Sequence, residues 1–193
     1  MPGGQYGEDK VLEEYFKDQD IGLVVDAGAA NGTDGSNSWM LLKRPGWSGV
    51  LIEPEPEQFA ELSALYEHRH RISTVNCALG TEERVASFYC ARQVSTLCPE
   101  WRDRCIEIHR LDFKEIQVNV FTLSDVMIDH NVEAIDFLSI DCEGRDVDVL
   151  NSLDLERWRP RLICLEAKGH HIDGYLTYCH TRGNTFYARE EEI

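Results

Sequence analysis

The sequence is short of positive charge, of long apolar runs and of paired-cysteine motifs. Its 193 residues carry 19 Lys+Arg against 35 Asp+Glu, a formal net charge of −16. A surface of that sign repels phosphate backbones and anionic lipid headgroups, and no Lys/Arg run offsets it, so no nucleic-acid partner is expected. No uninterrupted apolar stretch reaches the roughly 18 residues a membrane helix needs, so no membrane partner is expected. The opening Met1-Pro2-Gly3-Gly4-Gln5 is neither basic nor apolar, unlike a secretion signal, and a cytoplasmic protein is expected. The seven cysteines (77, 90, 98, 105, 142, 164 and 179) are odd in number and widely spaced, without a CxxC, which argues against a disulfide framework or a zinc ribbon. They read as small, reduced core residues. Repeats, low-complexity tracts and Pro/Gly/Ser linkers are missing too. With 42% hydrophobic and 28% charged residues, the chain has the composition of one globular domain.

What is present is an alternation of short β-branched runs and helical patterns. Residues 10–18 place Val11, Leu12, Tyr15 and Phe16 on one helical face. Strands are expected at 22–26 (GLVVD), 49–53 (GVLIE), 72–77, 84–90, 118–123, 135–141 (IDFLSID) and 161–166 (RLICLE), and helices at 37–43, 57–68 and 147–153. Residues 174–180 and 184–189, joined by Thr-Arg-Gly, read as a β-hairpin. Buried strands alternating with helices imply an α/β fold: a mostly parallel central sheet with helices on both faces and a C-terminal antiparallel hairpin. Four of the strand runs end in an acid, at Asp26, Glu53, Asp141 and Glu166. Ligands of open α/β sheets bind beyond the carboxyl ends of the strands, so the four read as one site rather than four helix caps.

The first strand breaks into Asp26-Ala27-Gly28-Ala29-Ala30-Asn31-Gly32. Gly28 and Gly32 permit a sharp turn and close approach to a ligand, but the third glycine of a dinucleotide fingerprint is missing, which weakens any nicotinamide oxidoreductase reading. Glu53 ends the next strand, where an acid accepts hydrogen bonds from ribose hydroxyls. Together these point to an adenosine-type ligand with no pyrophosphate.

VVDAGAANG followed by Glu53 resembles motifs I and II of the Rossmann-like class I S-adenosylmethionine-dependent methyltransferases, and more specifically the FkbM-type methyltransferases. Gln5-Tyr6-Gly7-Glu8-Asp9, Ser36-Asn37-Ser38, Gly46-Trp47-Ser48-Gly49, Ile52-Glu53-Pro54-Glu55-Pro56, Asn76-Cys77-Ala78-Leu79-Gly80, Thr122-Leu123-Ser124-Asp125 and Ile140-Asp141-Cys142-Glu143-Gly144 carry the likeness through nearly the whole chain. Three features depart from it. Ser139 stands where many members have Lys, Asp146 where Glu is common, and only residues 167–173 separate Glu166 from the hairpin, where most members have a helix. The resemblance implies a single methyltransferase domain over 1–193, with an N-terminal helix region (1–20), a cofactor half (21–90), and an acceptor half with the hairpin (91–193). It implies S-adenosylmethionine as cofactor and O-methylation of a hydroxyl on a small metabolite or sugar. A non-catalytic binding or scaffold module of the same fold is the alternative.

Within that frame the cofactor-binding residues are expected to be Asp26, Gly28, Ala29, Asn31, Gly32, Glu53, Pro54, Cys77, Ala78 and Asp141. Cys77 and Ala78 either flank the adenine or simply end a core strand. Asp141, Glu166 or His170 is the expected general base. A magnesium ion on Asp141, Glu143, Glu166 and His170 or His171 is a secondary option; alternatively Glu143 caps the following helix. Trp47 and Trp158 are expected to pack on the sheet, whereas Trp101, in the Pro-containing stretch 94–104, marks an acceptor loop. The short link after Glu166 leaves sheet near Leu176, Tyr178 and Cys179 without a helix. Three outcomes are open: the N-terminal helix folds across, a homodimer forms, or the acceptor side stays open.

Overall fold

The computed structural model describes residues 3–166 and 168–193. The chain begins with helix α1 (Glu8–Tyr15), strand β1 (Gly22–Ala27), helix α2 (Trp39–Leu42), strand β2 (Trp47–Ile52), helix α3 (Pro56–Tyr66) and strand β3 (Ile72–Val75). α3 starts sharply because Pro56 occupies its first turn and the Glu55 carboxylate accepts the Gln58 N–H at 2.7 Å. β3 ends two residues before the expected boundary. The Asn76 side-chain amide donates to the Glu53 carbonyl at 2.8 Å and turns the chain out of the ladder.

Strands β4 (Ala78–Leu79), β5 (Arg84–Cys90) and β6 (Lys114–Phe121) form a separate small sheet in the order β4-β6-β5. Between β5 and β6 the structure has a 3₁₀ turn at Arg92–Val94 and helix α4 (Pro99–His109), where sequence led us to expect a loop. Pro99 supplies the preset φ of a first helical turn. Cys105 is the one buried residue of that helix, so no apolar stripe announces it. The strand expected at 118–123 stops at Phe121, because the Thr122 hydroxyl accepts the Asp125 N–H at 3.0 Å and caps helix α5 (Leu123–Asp129).

Strand β7 (Phe137–Ile140), helices α6 (Asp146–Asn151) and α7 (Leu155–Trp158), and strands β8 (Leu162–Leu165), β9 (Tyr175–His180) and β10 (Thr185–Arg189) complete the chain. The main sheet runs β3-β2-β1-β7-β8-β10-β9. Its first five strands are parallel, and β10 pairs antiparallel with both β8 and β9. The expected hairpin is therefore the far edge of this sheet. The fold is the Rossmann-like α/β arrangement expected, with a second sheet that sequence did not announce.

Both faces of the main sheet are covered. On one lie Leu123, Val126 and Met127 of α5, Val149 and Leu150 of α6, and Trp158, whose indole donates to the Val132 carbonyl at 2.9 Å. On the other lie Leu12, Phe16, Leu41, Leu42 and Leu62, and the edge-to-face pair of Phe16 with Trp47. The region opposite the missing helix is closed in part by α1. The Tyr15 hydroxyl donates to the Arg161 carbonyl at 3.1 Å, and its ring meets Tyr178 edge-on. Leu176, on the edge strand, stays exposed. All seven cysteines are free thiols. No helix among the described residues is long and apolar enough to cross a membrane.

Candidate active site

The carboxyl ends of β1, β2, β7 and β8 converge, as the four terminal acids predict. At the end of β1 the Asp26 side chain is buried and accepts the Ser38 hydroxyl. Burial lifts its pKa to about 6, with the hydroxyls of Ser38 and Ser139 pulling the other way. The turn that follows is held from within. The N–H groups of Gly28 and Ala29 both donate to the Ile52 carbonyl at 3.0 Å, and the Ala30 N–H donates to Glu53 Oε2 at 2.8 Å. Gly28 has φ 86°, and a Cβ there would collide with the Asp141 carbonyl oxygen. Only glycine lets the ends of β1 and β7 come this close.

Glu53 is buried, and its second oxygen accepts the Glu55 N–H at 2.8 Å. Burial raises its pKa to about 7 against the lowering effect of the two backbone donors. Glu53, Pro54, Cys77, Ala78, Leu79 and Phe88 surround a first cavity with about 540 Å³ of empty space. Burial pushes the Cys77 thiol up to about 12, so it serves this cavity as an apolar atom.

A second cavity, of about 1310 Å³, takes in Asp26, Ala29, Asn37, Trp101, Glu166 and Asn184. The two share Gly28, Ala30, Gln93, Asp141 and Glu143 as walls. Asp141 therefore stands at the junction. Its Oδ1 is buried and has no hydrogen-bond partner. Burial, reinforced by the charges of Glu143, Glu166, Asp146 and Asp26, holds its pKa well above the ordinary range. Carboxylate oxygens of Asp141, Asp146 and Glu166 lie within 4.8 Å of one another. Glu143 is raised to about 8 by burial and by Glu166 and Asp146. Burial and Asp146 likewise raise Glu166, while Lys168 acts to lower it.

Several site expectations change. Asn31 lines neither cavity: its side-chain carbonyl accepts the N–H groups of Thr33 and Asp34 at 3.1 and 3.0 Å and shapes the turn. Gly32 is required by packing, because a Cβ there would run into Leu62, Leu65 and Tyr66, and it too is absent from both linings. His170 sits on the link after β8 and lines neither cavity, and His171 pairs with Asp173 at 3.0 Å in solvent, so the structure brings no histidine of this link to the carboxylates. Asp146, rather than Glu143, secures the start of α6, accepting the Cys142 N–H at 3.0 Å. Trp101 does line the second cavity, but from helix α4 rather than from a loop.

Residues that the sequence reading left without a role also shape the site. Glu8 is fully buried and lines the second cavity. Burial acts to raise its pKa, but donors from Thr181, the Tyr6 N–H and Asn184 outweigh it and hold the carboxyl below its usual value. Glu8 thereby ties the N-terminal segment to the β9–β10 turn, with Thr181 donating at 2.6 Å and Asn184 at 3.1 Å. Thr96 donates to the Glu143 carbonyl at 2.8 Å and anchors the segment before α4 over the site. The only sequence signal for Glu8 was its place in the Gln5–Asp9 motif, and that for Thr96 its place in the expected acceptor stretch 94–104; Asn184 had none.

Comparison with known proteins bears on the family and the fold. Methyltransferase 1 of Beauveria bassiana is 30% identical over 157 residues, covering 72% of this chain and 61% of its own length. The 31-O-demethyl-FK506 methyltransferase FkbM of Streptomyces tacrolimicus is 29% identical over 182 residues, covering 80% and 67%. Among solved structures, an FkbM methyltransferase of Methylobacillus flagellatus superposes with a TM-score of 0.57 at 16% identity, over 88% of this chain and 44% of that one. A methyltransferase of Geobacter sulfurreducens gives 0.55 at 13% identity, over 97% and 81%. These two likenesses show the fold. The chain thus spans 61% of the Beauveria relative and 44% of the Methylobacillus chain. Residues 26–183 match the methyltransferase FkbM domain, and the chain belongs to that family.

Proposed function

We propose that the chain is an S-adenosylmethionine-dependent O-methyltransferase acting on a hydroxyl of a small metabolite or sugar. The observation that carries this reading is the junction of two cavities at Asp141, whose buried Oδ1 has no partner. A buried carboxylate oxygen without a donor is costly, and a ligand that brings a donor relieves it.

The residues fit the cofactor. The first cavity sets Glu53 beside the largely apolar surface of Cys77, Ala78, Leu79 and Phe88, with Asp141 and Glu143 on the shared wall, which suits a ribose diol joined to an adenine. The amides of Gly28, Ala29 and Ala30 are spent on Ile52 and Glu53, leaving none of the three to cradle a pyrophosphate. That favours S-adenosylmethionine over a nicotinamide dinucleotide.

When bound, S-adenosylmethionine supplies a methyl group whose bond to sulfur breaks, the electron pair staying on sulfur, as the acceptor oxygen forms the new C–O bond. The chain's own tasks are to hold, orient and deprotonate. Glu53 accepts from the ribose hydroxyls, Asp26 and Asn37 orient polar groups next to the glycine turn, and the cavity walls fix the acceptor oxygen. Asp141 Oδ1 takes the hydroxyl proton, and Glu166 stands close enough to relay it towards solvent. A magnesium-assisted form would instead use Asp141, Asp146 and Glu166 as ligands, and chelation separates the two forms.

The test is transfer of an isotopically labelled methyl group to fractionated metabolite pools. A base-stable, ether-linked label that disappears with Asp141→Asn is the expected result. Binding of S-adenosylhomocysteine without transfer to any pool would instead support the non-catalytic module.

A further inference from the structure

The lining of the second cavity is rich in acids and includes one imidazole among the described residues, His109. Its acids are Glu8, Asp26, Asp34, Asp141, Glu143 and Glu166, and among the described residues no lysine or arginine lines it. The neighbouring basic side chains Arg104, Arg145, Lys168 and Arg182 line an outer cavity, which meets this one at Trp101, Glu166 and Gly183, and Arg145 also lines the first cavity together with Arg92. Glu8 is buried against neutral donors, so its charge has no cationic partner among its hydrogen bonds.

Three buried polar atoms on this lining lack a hydrogen-bond partner: two acceptors, on Asn184 and Asp141, and one donor, Trp101 Nε1. Asn184 is 6% exposed; its amide nitrogen donates to Glu8, which fixes its orientation, and its Oδ1 is buried without a partner. Asp141 Oδ1 is the other buried, unpartnered acceptor on this lining. A ligand for this chamber must therefore bring donors, and it gains by bringing positive charge. A carboxylate or phosphate would meet mostly like charge, with the Trp101 N–H and the His109 ring as the exceptions. Trp101 adds a flat apolar surface on the same wall.

We infer that the methyl acceptor is a polyhydroxylated compound carrying a protonated amine, whose ammonium group is held by Glu166, Glu143 and the Asn184 carbonyl while a neighbouring hydroxyl faces Asp141. This rests on the methyltransferase reading and narrows it to a substrate class. Burial, and after it the charge of Glu166, raise the Glu143 pKa, and an ammonium beside the pair acts in the opposite sense.

The experiment compares three pyranoses of one size and three charges, D-glucosamine, D-glucose and D-glucuronate. Each is titrated by NMR into the full chain saturated with S-adenosylhomocysteine, at about pH 7 in EDTA. Glucosamine is expected to bind roughly tenfold or more tighter than glucose, the scale of one charge-assisted hydrogen bond, with glucuronate silent. Glu166→Gln is expected to reduce that preference to about threefold or less while leaving the S-adenosylhomocysteine affinity in place, and Glu143→Gln, on the wall shared with the first cavity, is expected to reduce the preference likewise. Glucose binding as tightly as glucosamine, a preference unchanged in both variants, or no binding of glucosamine overturns the inference. If S-adenosylhomocysteine itself fails to bind, the cofactor reading falls instead.

Discussion

Replacing Glu53 by glutamine separates what this side chain does for folding from what it does for the ligand. In the folded chain burial moves its pKa from 4.5 to about 7. One pKa unit corresponds to about 1.4 kcal/mol, so the displacement is worth on the order of 3 kcal/mol. The folded state binds the proton more tightly than the unfolded chain does. The associated stability is therefore fully present below about pH 4.5 and is lost as the pH rises through about 7. Glu53→Gln cannot ionise. Urea unfolding should show wild type losing on the order of 3 kcal/mol relative to the variant between about pH 5 and pH 8. The same variant should bind S-adenosylhomocysteine more weakly by roughly 1–3 kcal/mol, because the ribose hydroxyls lose their charged acceptor. In wild type, binding should also weaken as the pH falls below about 7, when Glu53 takes up its proton. Parallel stability–pH profiles for the two proteins would refute the buried-carboxylate reasoning. Unchanged ligand affinity would remove Glu53 from the site.

Other perturbations test other parts of the site. Asp141→Asn should lower turnover by roughly 10²–10⁴ while leaving the melting temperature unchanged or higher, since it removes an uncompensated buried charge; equal turnover would reject its role as base. Gly28→Ala should cost on the order of 2 kcal/mol or more in thermal unfolding, because its Cβ meets the Asp141 carbonyl at φ 86°. His170→Ala should leave methyl transfer at the wild-type rate, and a large loss would return this residue to the site. EDTA should leave transfer intact; loss restored by magnesium would transfer the role of the three carboxylates to metal binding.

The residues at strand ends were the most legible part of this protein. GLVVD, GVLIE and RLICLE are continuous apolar runs because parallel strands are buried on both faces, and their terminal acids meet for the topological reason that all such strands end at one edge. Gly28 was expected to let the backbone approach a ligand; in the structure the atoms that a Cβ there would meet belong to the Asp141–Cys142 backbone. Gly32 looked the same in sequence, and only the position of α3 shows that it is a packing glycine. Helix α4 was hidden because one of its eleven residues is buried. The separate small sheet was hidden because β5 and β6 expose many side chains and pair only with each other and the two-residue β4. The Glu8–Asn184 contact joins positions 176 residues apart, and no local pattern encodes it.

The most direct test of the account is the structure of the chain crystallised with S-adenosylhomocysteine. The account predicts adenine against Cys77, Ala78 and Leu79, both ribose hydroxyls on Glu53, and the sulfur end directed into the second cavity towards Asp141. A ligand seated away from Glu53, or a saturated crystal with both cavities empty, would contradict it.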